Sequence, residues 1–189
     1  MPDQLLHLDR QLFHYINNSL SNSIFDWLMP QMRNPALWIP LYLFIIIFCI
    51  WRYRKQGALL IAMLALAAGF ADFTSATLIK KQEQRVRPCR DAVTSATVIS
   101  RVPCGTGYSF PSTHATDHFA IAVFLSCLFY KKWPRVVPVL LFWAALICFA
   151  QVYVGVHFPV DVVSGAIYGS LIGWLFALGF RKLQPGFVA

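Results

Sequence analysis

The sequence predicts an all-α integral membrane helical bundle of about five transmembrane helices, preceded by N-terminal amphipathic interfacial helices. Three observations lead there. Of the 189 residues, 58% are hydrophobic and only 13% are charged, about half the charged share of a soluble domain. Several stretches are long enough to cross a bilayer and nearly free of charge. The basic residues cluster at the ends of those stretches. This composition excludes a disordered chain, a coiled coil and most water-soluble enzymes. A net charge of +8, from 16 Lys and Arg against 8 Asp and Glu, suggests nucleic acid or anionic lipid as a partner. The apolar runs decide for lipid and against nucleic acid.

Residues 1–33 are acidic and polar at their start and lack the continuous apolar core of a cleavable signal peptide. Leu5, Leu6, Leu8, Leu12, Phe13 and Ile16 mostly recur at helical spacing, and Leu20, Ile24, Phe25, Trp27 and Leu28 continue the pattern. Two short amphipathic helices follow, punctuated by Asn17, Asn18 and Pro30. They either lie on the outer membrane surface or pack on the bundle. Residues 34–189 form the membrane domain. Asn34 to Trp51, Val136 to Val156 and Val162 to Phe180 carry no charge, and Gln56 to Ile79 carries only Asp72. A further span runs from about Pro111 to Tyr130, with His114, Asp117 and His118 at its entrance. Roughly 20 helical residues cross the hydrocarbon, so five spans are expected.

The turns Trp51–Lys55 and Lys131–Arg135 and the tail from Arg181 are basic and hold no acid. The positive-inside rule puts them in the cytoplasm and the N-terminus outside. Lys80, Lys81, Arg85, Arg87, Arg90 and Arg101 then crowd one outer loop. That is costly for topology, so these cations should have another task. Cys49, Cys127 and Cys148 fall in apolar spans as small core residues. Cys89 and Cys104 share the outer loop, where an oxidising compartment would favour a disulfide. Their spacing is not that of a zinc pair.

The outer ends of the spans carry the chemistry. One span ends at Lys80, and Arg87-Pro88 follows. The next opens with Ser109-Phe110-Pro111-Ser112-Thr113-His114. The last two are joined through Gly155-Val156-His157 to Phe158-Pro159-Val160-Asp161. Proline suits a first helical turn, so two helix N-termini point at one region, and their free N–H groups favour an anion. Lys80 and Arg87 add positive charge, giving a phosphate site in outline. His157 and Asp161 are spaced for a carboxylate to hold one imidazole nitrogen and leave the other free. His114 can then protonate a leaving oxygen. Two histidines with one carboxylate and two cations fit phosphoryl transfer through a phosphohistidine. So few carboxylates among so many cations disfavour a divalent metal. His118 and Tyr153 read as structural. Asp72 either bonds within the bundle or orients the site.

Together these residues resemble the type 2 phosphatidic acid phosphatase superfamily of integral membrane lipid phosphatases. Its first motif, Lys, six residues, then Arg-Pro, is matched by Lys80 to Pro88. Its second, Pro-Ser-Gly-His, is matched by Pro111-Ser112-Thr113-His114. Its third, Ser-Arg, five residues, His, three residues, Asp, is matched by Ala150-Gln151, His157 and Asp161. The likeness covers about residues 35–180. It implies that His157 is the nucleophile, Asp161 its orienter and His114 the general acid. Lys80 and Arg87 would grip the phosphate, with Ser112 and the Thr113 N–H completing the cradle. It implies no cofactor and no metal.

Two departures stand out. Thr113 replaces glycine but keeps its N–H. Gln151 replaces the arginine that binds phosphate in the family, and Ala150 replaces the serine. Gln151 can donate a hydrogen bond but brings no charge, and charge-assisted bonds are roughly twice as strong as neutral ones. The expectation is that a loop arginine, Arg90 first and Arg101 second, supplies the missing charge, pinned over the site by a Cys89–Cys104 link. The resemblance implies a bacterial inner-membrane lipid phosphatase with its site facing the outside. Undecaprenyl diphosphate is the favoured substrate, before phosphatidylglycerophosphate, phosphatidate or a lipid A phosphate. Readings of other classes are a lipid transporter and a non-catalytic lipid-phosphate binder.

Overall fold

A computed structural model describes residues 3–187. Helix α1 (Asp3–His14) runs through a π turn (Tyr15–Ser19) towards α2 (Ser23–Met32). Asn22 caps α2 by accepting from Phe25 N at 2.9 Å, and Asn34 caps the next helix by accepting from Ala36 N at 3.1 Å. That helix, α3 (Pro35–Phe73), is interrupted at Arg54, where φ is 53° and ψ is −124°. It therefore consists of two spans, with the break inside the basic turn expected between the first two. A π turn (Thr74–Ile79) carries the chain into the short α4 (Lys80–Glu83). Thr74 Oγ1 donates to Phe70 O at 2.7 Å there, one way a hydroxyl disturbs the regular helical ladder.

The loop between α4 and α5, expected to face outside, contains the Cys89–Cys104 disulfide, with Cα atoms 6.2 Å apart. Then follow α5 (Thr113–Phe129), α6 (Val136–Tyr153) and α7 (Pro159–Leu183). Among the described residues, three helices are long and apolar enough to cross a membrane: the interrupted first one, α6 and α7. With α3 split at Arg54, and with the apolar 17-residue α5, the bundle has the five expected spans. Phe44, Ile47, Phe70, Phe142, Ile167 and Trp174 face outward and exposed, a surface suited to lipid.

α5 and α7 form the closest pair. A Cβ added at Gly165, Gly169 or Gly173 would come within 2.6, 2.0 and 2.3 Å of the carbonyl oxygens of Ser112, Thr116 and Ala120. The small residues let the two backbones touch, the usual way to pack helices in lipid. At the basic end, Tyr53, Phe124, Phe129 and Phe180 share one core cluster. At the opposite end, the N-terminal helices pack on the bundle. Phe13 meets Phe158 edge to face at 5.4 Å, and Met29 is buried with Ala150 and Tyr153. Leu5, Leu8, Leu12, Ile24 and Trp27 stay exposed on the same segment. One face therefore packs on the bundle while the other keeps an apolar surface.

Candidate active site

A cleft of about 690 Å³ opens at the end of the bundle opposite the basic turns. Lys80, Arg87, Thr113, His114, Gln151 and His157 line it, together with Arg33, Asp72, Asp117 and His118. Its size is that of an ordinary small-ligand pocket. Another cleft, of about 510 Å³, lies between α1 and the outer loop and contains none of the motif residues.

The local sequence explains how the parts arrive. Gly155 has φ +89° and reverses the chain after α6, which sets His157 between α6 and α7. Asp161, in the first turn of α7, accepts from Phe158 N at 2.8 Å and so caps its own helix. The same carboxylate oxygen lies 3.5 Å from His157 Nδ1 and accepts from Ser109 Oγ at 2.5 Å. The other carboxylate oxygen pairs with Arg85 Nη1 at 2.5 Å. Ser112 caps α5, accepting from Ala115 N at 3.5 Å, and its own N–H donates to Asp161 O at 3.0 Å. The two helix starts are thereby tied together.

Arg87 reaches across the cleft. Its Nε donates to Gly107 O at 2.9 Å. Its Nη1 donates to Val156 O at 3.1 Å and lies 3.2 Å from His157 Nε2. A guanidinium has no acceptor, so Nε2 must present its lone pair and Nδ1 must carry the proton towards Asp161. His157 is buried. Burial holds its pKa down at about 4; Asp161 opposes that shift and Arg87 adds to it. The ring is therefore neutral at ordinary pH, with its free nitrogen turned to the cleft.

Of the expected site residues, the structure brings Lys80, Arg87, Thr113, His114, Gln151 and His157 to the cleft and sets Asp161 behind His157. Ser112 is fully buried in its capping role. Arg90 is not among the residues lining the cleft but stands beside it: its guanidinium donates to Thr106 O at 3.2 Å and, at 2.7 Å, to Gly107 O, which also accepts from Arg87. Arg101 pairs with Asp26 at 2.5 Å and lies 4.0 Å over the Tyr153 ring, stapling α2 to the end of α6. His118 bonds His114 O and Tyr42 OH at 2.7 and 3.2 Å, the structural part expected of it.

Sequence reasoning did not single out Arg85, Asp9, Ser109 or Arg33 for the site. Arg85 bridges Asp161 and the buried Asp9 of α1, and Asp9 also accepts from Val160 N at 2.8 Å. Burial raises the pKa of Asp9 against the opposing pull of Arg85 and Val160. Asp9 and Arg85 are 76 residues apart, and no motif links them. The only available signal was an acid on the apolar side of an amphipathic helix.

A helical membrane bundle with two histidines, an orienting carboxylate and several cations at one end is the framework of a phosphate-handling membrane protein. The chain belongs to the PAP2 superfamily, whose family model matches residues 56–185. It is 32% identical over 186 residues to a lipid A 4'-phosphatase of Bacteroides thetaiotaomicron, covering 97% of this chain and 81% of the relative. It is 30% identical over 176 residues to an undecaprenyl-diphosphatase of Sulfolobus acidocaldarius, covering 92% and 79%. Its fold is that of the transmembrane PAP2-type phosphatidylglycerolphosphate phosphatase of Bacillus subtilis, with a TM-score of 0.74 at 20% identity over 99% of this chain and 90% of the other.

Proposed function

We propose that this protein is a metal-independent membrane lipid phosphatase that works through a phosphohistidine. The observation that carries the reading is His157, buried and neutral, with Asp161 behind one nitrogen and a cation-lined cleft before the other. His157 Nε2 attacks phosphorus while the bond to the lipid oxygen breaks. His114, which takes up a proton when the phosphate anion binds beside it, gives that oxygen the proton. The imidazolium character that develops on His157 is stabilised by Asp161, itself fixed by Ser109 and Arg85. Lys80 and Arg87 balance the charge on the phosphoryl oxygens, and the Thr113 N–H joins them. A water then gives its proton to His114 and attacks the phosphohistidine, which releases inorganic phosphate and restores both histidines.

The substrate we place first is the phosphate of a lipid A-type saccharide lipid. The relative matched along 97% of this chain is a lipid A 4'-phosphatase, and the carboxyls of Asp72 and Asp117 in the cleft suit sugar hydroxyls. Undecaprenyl diphosphate, which the family resemblance favoured, is the second reading, supported by another long relative. The positive-inside pattern supports a cleft facing the outside of a bacterial inner membrane.

The test is phosphate release by the detergent-purified protein from lipid A, undecaprenyl diphosphate, phosphatidylglycerophosphate and phosphatidate, with EDTA present. Release is expected from lipid A first, and His157→Ala should lower it by at least about 10³-fold. Release that needs added metal, or that survives His157→Ala, would refute the mechanism. No release from any lipid would leave the transport and binding readings.

A further inference from the structure

The geometry points to Arg33, at the end of α2, as a third phosphate-binding cation of the cleft, delivered by the N-terminal segment in place of the charge absent at Gln151. This rests on the phosphatase reading above. Six arginines lie outside the basic turns and tail, and the structure gives five of them partners. Arg10 pairs with Asp91. Arg85 pairs with Asp9 and Asp161, and Arg101 with Asp26. Arg90 is held by loop carbonyls, and Arg87 by carbonyls and His157. Arg33 lines the cleft, and its Nε is buried without a hydrogen-bond partner. Among the described residues, no ion pair forms with its side chain.

A second observation points to the same space. Gln151 is fully buried, lines the same cleft, and neither its Oε1 nor its Nε2 has a partner. Buried polar atoms are rarely left unpaired, so an amide and a guanidinium both unsatisfied around one cleft describe a site awaiting an anion. A phosphoryl group held by Arg87 and Lys80 would give both of them acceptors. The backbone around Arg33 is firmly placed. Trp38 Nε1 donates to Met32 O at 2.7 Å, Asn34 caps α3, and Met29 anchors α2 against Ala150 and Tyr153. The guanidinium thus approaches from a rigid junction, with its terminal nitrogens free to fork onto two phosphoryl oxygens.

The experiment measures orthovanadate and inorganic phosphate binding by the full-length, detergent-purified protein, through the ligand-dependent rise in Tm. It compares wild type with Arg33→Ala, Arg33→Lys and Arg33→Ala/Gln151→Arg. Arg33→Ala should leave the ligand-free Tm unchanged, because the side chain makes no hydrogen bond, and should weaken both ligands by about 10- to 100-fold. Arg33→Lys, which keeps the charge but not the fork, should recover part of that loss and keeps the test open should the double variant misfold. A folded double variant should recover binding through the guanidinium returned at position 151. With the lipid substrate, kcat/KM of Arg33→Ala should fall by the same factor. Wild-type affinity in Arg33→Ala, or a lowered ligand-free Tm as its sole defect, would overturn the assignment. So would a rise in lipid KM with phosphate binding unchanged, since Arg33 would then read another part of the headgroup. No orthovanadate or phosphate binding by the wild type would overturn it too. Phosphate binding that depends on Arg33, with no lipid hydrolysed, would refute the phosphatase reading alone.

Discussion

Asp161 serves three masters: Phe158 N, Ser109 Oγ and Arg85 all converge on its carboxylate, 3.5 Å from His157. A carboxylate this heavily bonded stays ionised and fixed, as an orienter of imidazole must. Arg85 is in turn anchored by Asp9, so α1 reaches the site through a single carboxylate. Replacing Asp9 by Ala leaves Val160 N without its acceptor and Arg85 without half its pairing. The expected loss is about 2–3 kcal/mol of stability together with a fall in kcat larger than any change in KM, since Asp161 loses its brace while Lys80 and Arg87, the proposed phosphate ligands, stay put. Thermal unfolding and steady-state kinetics of Asp9→Ala check both. His157 makes a second test. With burial holding its pKa near 4, the ligand-free ring stays neutral as pH falls through 6.5 and takes up its proton only around 4. A ¹⁵N-histidine titration, with the signal assigned by its absence in His157→Ala, reads this directly; a midpoint near 6.5 would contradict the buried setting.

At the scale of elements, the α5–α7 contact and the bridged outer loop hold the two halves of the site. His114 is on α5 and Asp161 on α7, and their helices meet where Gly169 leaves no room for a Cβ over Thr116 O. Gly169→Val should prevent the two helices from closing and cost about 3 kcal/mol, the upper end of the usual range for an overpacked core. Gly179→Ala, whose added carbon would meet only Met63 Cε at 3.5 Å, should unfold like wild type. The loop gives a matching case. The Cys89–Cys104 link closes a sequence separation of 15 residues, and a disulfide around such a loop contributes about 3 kcal/mol in the chain-entropy account. Its first cysteine stands two residues after Arg87, with Pro88 between. Cys89→Ser/Cys104→Ser should therefore lower Tm and also weaken orthovanadate binding, since Arg87 loses the constraint on its loop; both are measured in one thermal-shift series.

For the whole molecule, the proposed orientation rests on the positive-inside pattern of its charges. The basic turn at Arg54, the turn at Lys131–Arg135 and the Arg181 tail lie at one end, and the cleft opens at the other. In intact cells, a membrane-impermeant thiol reagent should label a cysteine introduced at the exposed Ser100 of a variant lacking the free cysteines. It should not label one introduced at the exposed Lys131 until the membrane is opened. The reverse pattern would put the cleft in the cytoplasm and refute the outward-facing reading.

Spans, helix starts and motif spacing were legible because each is local. Apolar runs of bilayer length specify helices wherever they sit. Proline at a first turn marks a helix start. The four-residue offset of His157 and Asp161 already implies their pairing. The expected split at the first basic turn appears at Arg54, and the expected bridge joins Cys89 to Cys104. What remained hidden involves partners far apart in sequence. Arg90 and Arg101 looked available from composition alone, yet loop carbonyls and Asp26 engage them, while Arg33 and Asp9, in a segment that could equally have lain on the lipid or packed on the bundle, turn inward. A sequence lists the cations of a site; only packing decides which of them are left without a partner. The elements and the family motifs therefore follow from short-range hydropathy and spacing, whereas the completed charge set of the cleft follows from the docking of α1 and α2 onto the bundle, a balance of buried carboxylates and guanidiniums that no local pattern encodes.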